Sequence, residues 1–294
     1  MGIVKRIYKR LRSLTYFLVT RLTIILALIA LCQRYIIYPY RIQTNFGLDK
    51  EIGQSPGEGY KKTSIDNSES DSINEKLEVW SKYPINFDQN KNGKIALVFR
   101  GNGANIKYHT ALSDWATENG YISYIYNYPG YGESSGSTNE TAIYNSARSI
   151  VKFISAEHKV EAKDILIIGY SIGTVPAIYT AEFFQTKNLA LFAPFTKTAD
   201  VARKNLLFAI ITFAIIDKLD SVERIKNLKT ECLFVGLGKK DVVIPPEISY
   251  KLLSNLPKNL NKQIAINDEA DHGNLLWYNL ESINQYQKSC FSNN

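Results

Sequence analysis

The 294-residue chain has three cysteines, three histidines and not one acidic residue among its first 48 positions. Cys32, Cys232 and Cys290 are odd in number, widely spaced and without a C-x-x-C pair. That argues against a disulfide framework and a zinc site, and leaves the redox compartment open. The missing acids reveal an uneven charge distribution. Eight of the 35 Lys and Arg (Lys5, Arg6, Lys9, Arg10, Arg12, Arg21, Arg34 and Arg41) lie in that stretch. The rest of the chain holds 27 positive against 28 negative charges, so the net +7 belongs to the N-terminus. A near-neutral body is not a nucleic-acid binder by charge. There is no internal repeat, and the length suffices for one sizeable α/β domain plus extra segments.

Leu14 to Cys32 reads LTYFLVTRLTIILALIALC, close to the about 20 apolar residues that a hydrocarbon core requires. Arg21 lies in its first half, where it can snorkel to the near interface beside Arg10 and Arg12. An alternative span starts at Leu22 and runs through Tyr38, with Gln33 and Arg34 as misfits. Tyr35, Tyr38 and Tyr40 would then form an interfacial belt. The basic run from Lys5 to Arg12 predicts a single-pass protein with a cytoplasmic N-terminus and its body across the membrane, in a periplasm or lumen. A cleaved signal peptide lacks its A-x-A-like site after Cys32, and a lipidated Cys32 lacks a small residue at Leu31. Myristoylation at Gly2 lacks the Ser or Thr for which Arg6 stands. A retained anchor over residues 1–40 is therefore expected. A polar spacer over 41–75 follows, with an early strand at Tyr60 to Ile65.

Lys76 to Tyr83 alternates and reads as a second strand, and short strand-like runs then recur: Ile95 to Phe99, Tyr121 to Tyr126, Asp164 to Ile168, Leu189 to Phe192, Glu231 to Val235 and Gln263 to Ile266. Helical spacing separates several of them, as over Thr141 to Ala156. This alternation predicts a mostly parallel sheet covered on both faces. The most informative stretch is Gly169-Tyr170-Ser171-Ile172-Gly173, a G-x-S-x-G placed between a strand and a helix with Pro176 in its first turn. A serine there sits on a sharp turn that exposes its hydroxyl above the sheet edge.

A serine hydroxyl becomes a nucleophile only when a base takes its proton, and that base needs an acid to hold one tautomer. His272 follows the last strand, in a loop at the strands' carboxyl ends. His109 and His158 read as surface residues and receive no role. Asp241 stands just after the strand Glu231 to Val235, in a glycine-containing turn. Asp268, Glu269 and Asp271 are weaker candidates for the acid. The order Ser171, Asp241, His272 is the one this geometry takes on an α/β-hydrolase sheet. The backbone N–H groups of Ile172 and Asn102 are the expected oxyanion donors, the latter from the loop Arg100-Gly101-Asn102-Gly103-Ala104-Asn105.

With these residues assembled, the chain resembles the α/β-hydrolase superfamily, and within it the membrane-tethered, serine-aminopeptidase-like hydrolase-domain proteins, which include esterases and depalmitoylating thioesterases. The similarity covers roughly Lys76 to Lys288. It rests on the Arg100 to Ile106 loop, Tyr128-Pro129-Gly130-Tyr131-Gly132-Glu133-Ser134, the elbow, Asp217-Lys218-Leu219-Asp220-Ser221, Gly238-Lys239-Lys240-Asp241 with Pro245, and the His272 loop. The resemblance implies an α/β-hydrolase fold over 76–294, with a small helical cap at about 196–222. It places the catalytic trio on Ser171, Asp241 and His272 and the oxyanion donors on Asn102 and Ile172. Arg100 replaces the family's usual His, and Gly103-Ala104 inverts its Ala-Gly order. A guanidinium there is expected to favour an anionic substrate group.

The run Asn205 to Ile216 is apolar nearly all round and too short to span a bilayer. It reads either as a helix buried against the body or as a greasy lid whose Leu206, Phe208 and Phe213 line an acyl pocket. The expected activity is hydrolysis of an acyl ester or thioester, lipid-like in character, through an acyl-enzyme and without metal or organic cofactor. A peptidase or acyltransferase on the same trio, and a catalytically silent membrane-anchored binding protein, stand as alternatives.

Overall fold

The computed structural model describes all residues except 1, 86, 88–92, 104, 205–211, 213–214 and 292–294. Eight strands form one sheet: β1 (Tyr60–Asp66), β2 (Lys76–Lys82), β3 (Lys94–Phe99), β4 (Tyr121–Tyr126), β5 (Leu166–Tyr170), β6 (Asn188–Phe192), β7 (Cys232–Gly238) and β8 (Lys262–Asn267). Their spatial order is β1-β2-β4-β3-β5-β6-β7-β8. β2 pairs antiparallel with β1 and β4, and every later pairing is parallel. Every residue of β4, β6 and β7 is buried, so these strands are covered on both faces. That explains why they read as continuous apolar runs rather than alternating ones.

The sheet carries helices α3 (Ala111–Glu118), α4 (Glu140–His158) and α5 (Thr174–Phe184), preceded by α1 (Gly2–Ile37) and α2 (Tyr40–Asn45). Helix α4 starts where the Asn139 side chain accepts the Ala142 N–H, and ends at Lys159 in the left-handed region. It packs on α5 through the stacked rings of Tyr144 and Tyr179, 4.4 Å apart. Trp115 of α3 donates its indole N–H to Asn284 at 2.8 Å and so ties α3 to the C-terminal helix Leu280–Tyr286.

Helix α1 is unbroken over 36 residues, and its window Lys5–Leu28 is long and apolar enough to cross a membrane. Its last turns belong to the globule. Gln33, Tyr38 and Tyr40 are buried at 3%, 1% and 0% exposure, so Tyr38 and Tyr40 are core residues and not part of an interfacial belt. The stretch after α1 is likewise fastened down. Asp49 accepts from the amide of Asn105 at 2.8 Å, and the Glu69 N–H donates to Ser149 of α4 at 3.0 Å.

The cysteines need a correction. Cys232, at the start of β7, is disulfide-bonded to Cys290, 58 positions away in sequence, with Cα atoms 6.0 Å apart. Wide spacing hid the pair because only folding brings the C-terminal tail to β7.

Candidate active site

Ser171 stands where β5 gives way to the short 3-10 turn Ser171–Gly173 and then α5. Its φ of 53° lies in the left-handed region, which costs a residue with a Cβ about 1–2 kcal/mol. The flanking glycines make room for the turn. A Cβ on Gly173 would collide with the carbonyls of Phe99 and Arg100, and one on Gly169 would lie 2.7 Å from the Gly173 carbonyl oxygen.

The turn after β7 brings in Asp241, which is 3% exposed. Its Oδ1 accepts the N–H groups of Val243 at 2.9 Å and Ile244 at 2.8 Å, which aims Oδ2 at His272. His272 comes from the loop after β8. Its Nδ1 is 2.8 Å from Asp241 Oδ2 and its Nε2 is 3.0 Å from Ser171 Oγ. A carboxylate at Nδ1 favours the tautomer whose Nε2 accepts from the serine hydroxyl. Residues 101 positions apart thus share one hydrogen bond. The hydroxyl of Tyr170 donates to the carbonyl oxygen of His272 and ties this loop to the elbow. Nothing in the motif G-x-S-x-G marks its second position for that task.

Ser171, His272, Ile172 and Asn102 all border one cavity of about 1020 Å³. The loop bearing Asn102 is fixed by its neighbours. The Asn102 side chain donates to the Ile37 carbonyl of α1 and accepts from the Tyr131 hydroxyl at 2.7 Å, while the Tyr128 hydroxyl donates to the Arg100 carbonyl at 2.7 Å. The Tyr128 to Ser134 motif therefore acts as a brace for this loop.

Arg100 differs from expectation. The residue borders the cavity, yet it is only 1% exposed and its guanidinium lies over the rings of Tyr40 and Tyr131, 5.1 and 5.5 Å from their centroids. Its Nη1 donates to Asn127, whose amide donates in turn to the buried Glu78 at 2.8 Å. The charge is thus enclosed among aromatic faces, as cation–π contact favours, and is not presented to an anionic substrate. Burial draws its pKa below the ordinary arginine value. Leu206, Phe208 and Phe213 lie outside the described residues.

His109 also borders the cavity, although its sequence context reads as surface. Its Nε2 is buried and has no hydrogen-bond partner among the described residues. Burial, with the nearby Arg100 charge, holds its pKa well below the usual histidine range. His158 sits apart, 2.6 Å from the Tyr124 hydroxyl. Among the described residues no group of three or more His, Cys, Asp or Glu could hold a metal ion.

Esterase Pf2001 of Pyrococcus furiosus has a similar structure, with a TM-score of 0.61 and 16% identity, covering 79% of this chain and 90% of that one. The chain has the α/β-hydrolase fold. In this α/β-hydrolase-fold chain the elbow follows β5, and the other two members of the trio follow β7 and β8. An uncharacterized protein of Mycobacterium tuberculosis is 26% identical over 162 residues, 55% of this chain and 57% of its own length. Alpha/beta hydrolase domain-containing protein 17B of Homo sapiens is 26% identical over 173 residues, 52% of this chain and 57% of its own. The chain thus spans less than two thirds of these relatives. A family profile described as ATP citrate lyase citrate-binding matches residues 69–188, a stretch that contains Ser171 but neither Asp241 nor His272.

Proposed function

We propose that the chain is a membrane-anchored serine hydrolase that cleaves an acyl ester or thioester. The observation that carries this reading is the relay Ser171 Oγ, His272 Nε2, His272 Nδ1, Asp241 Oδ2, with contacts of 3.0 and 2.8 Å, built on a serine in the left-handed region. Ser171 Oγ attacks the acyl carbonyl carbon while its proton passes to His272 Nε2. Asp241 stabilises the imidazolium and keeps its orientation. The developing oxyanion is met by the N–H groups of Ile172 and Asn102. His272 returns the proton to the leaving alcohol or thiol, which departs and leaves the acyl group on Ser171. Water then adds to the acyl carbon with His272 again as base, and the free acid is released.

The apolar helix ending against the cavity supports attachment to a membrane, and the basic residues from Lys5 to Arg12 support a cytoplasmic N-terminus with the catalytic body opposite. The test is a fluorophosphonate probe on the full chain. Labelling that disappears in Ser171→Ala is expected, and a folded chain that takes no label would refute the hydrolase reading.

A further inference from the structure

The cavity that holds Ser171 and His272 is walled on one side by the end of α1, through Gln33 and Ile37, and by Pro39 just after it. That end is fixed to the globule at three points. Gln33 Oε1 accepts the Ile216 N–H at 2.6 Å, Arg34 lies 3.7 Å from Asp217, and the Ile37 carbonyl accepts from Asn102. The helix runs without interruption back into the apolar window Lys5–Leu28, none of which is buried in the protein. At about 1.5 Å per residue, Gln33 stands roughly 7.5 Å beyond Leu28 along the helix axis. The polar layer on each side of a hydrocarbon core is about 5–8 Å deep. The Gln33 edge of the wall therefore lies at headgroup depth, with Ile37 about 6 Å further out along the helix.

The rim of the same cavity has the composition that such a depth requires. Tyr108, Val242, Val243 and Trp277 border it and are nevertheless 68%, 85%, 50% and 63% exposed. Ile216, beside the lining residue Ile215, is 61% exposed. An apolar rim around a cavity marks a surface that meets something other than water. A tryptophan and a tyrosine within it match the residues enriched at membrane interfaces.

We infer that the rim of the cavity rests in the headgroup layer of the leaflet where α1 ends, and that the substrate's acyl chain enters from that leaflet. The substrate half rests on the hydrolase reading above, while the docking half does not. A helix rigidly joined to the oxyanion loop leaves the mouth no freedom to turn away from the bilayer. An acyl chain lying in that leaflet would reach Ser171 without passing through water.

Trp277 supplies the probe, because Trp80 and Trp115 are each buried at 3% exposure. The full chain is placed in phosphatidylcholine vesicles, with or without bromine on the acyl chains near the ester, and tryptophan emission is recorded. Bromine is expected to remove about a third of the emission, the share of one tryptophan in three, and Trp277→Phe to abolish that loss. Equal emission in both vesicles, or quenching that persists in Trp277→Phe, overturns the docking. The substrate half is read by labelling Ser171 in the same vesicles with a water-soluble and with a long-chain, bilayer-resident fluorophosphonate. The long-chain probe is expected to react at least about tenfold faster, a difference of about 1.4 kcal/mol in barrier. Labelling by the soluble probe alone refutes leaflet entry and leaves the hydrolase standing. If neither probe labels, the hydrolase reading and leaflet entry fail together, and the bromine result still decides the docking.

Discussion

The guanidinium of Arg100 lies over the ring of Tyr40, 5.1 Å from its centroid. One residue opens the loop beside Ser171, and the other follows the helix that reads from sequence as a separable anchor. The N-terminal helix and the candidate site are therefore packed as one body. Tyr40 is fully buried, so Tyr40→Ala removes a core aromatic and one face of the cage around a buried charge. The expected loss is about 3–5 kcal/mol of stability, measured by urea unfolding in detergent. Tyr35→Ala, at a position 37% exposed, is the control and should cost under about 1 kcal/mol.

Ser171 carries backbone strain that glycine would not. At φ 53° alanine keeps the unfavourable contact between Cβ and backbone, whereas glycine does not. Ser171→Gly should therefore be more stable than Ser171→Ala by about 1 kcal/mol, read as a higher melting temperature. Both variants should lose activity by at least about 10⁴-fold. Equal melting temperatures would show that the elbow relaxes when the hydroxyl is removed.

Eight strands are legible in the chain because the inner ones are buried on both faces and so read as short, mostly apolar runs. The elbow is legible because Gly173 sits against the carbonyls of Phe99 and Arg100, and Gly169 against the start of α5, with no room for a side chain at either. The order of Ser171, Asp241 and His272 follows from strand order alone. What is not legible depends on packing across long sequence distances. Tyr40 looks like a belt residue until the Arg100 guanidinium is seen over its ring, and Tyr38 until the fold buries it. Arg100 looks like an exposed charge until Asn127 and Glu78 enclose it. His109 looks like a surface residue until the cavity forms around it.

The enclosure of His109 gives stability a pH dependence. In the folded chain its pKa lies well below the usual value of about 6.5, so the imidazole stays neutral, while the unfolded chain takes up a proton as the pH falls through 6.5. The unfolded state then binds more protons, and stability drops toward acid by up to about 1.4 kcal/mol per pH unit. Above 6.5 both states are neutral and the effect vanishes. His158 is also lowered by burial and adds to the same limb. His109→Gln should flatten the limb between about pH 5 and 6.5 without removing it, as followed by thermal melting at successive pH values.

The disulfide between Cys232 and Cys290 closes a loop spanning 58 residues in sequence. Loop-closure entropy for that length stabilises the fold by about 4 kcal/mol. Reduction, or Cys232→Ser, should lower the urea midpoint accordingly. A midpoint indifferent to reductant would mean that the two thiols are not joined in the folded protein.

That bond also decides what a single break in the polypeptide can do. Asp241 and His272 both fall inside the covalent ring, while Ser171 stands outside it. A protease that nicks the surface between residues 240 and 271 severs the backbone yet releases no fragment. Asp241 and His272 would both stay leashed to the sheet, and only a reductant would let the piece bearing the imidazole drift away.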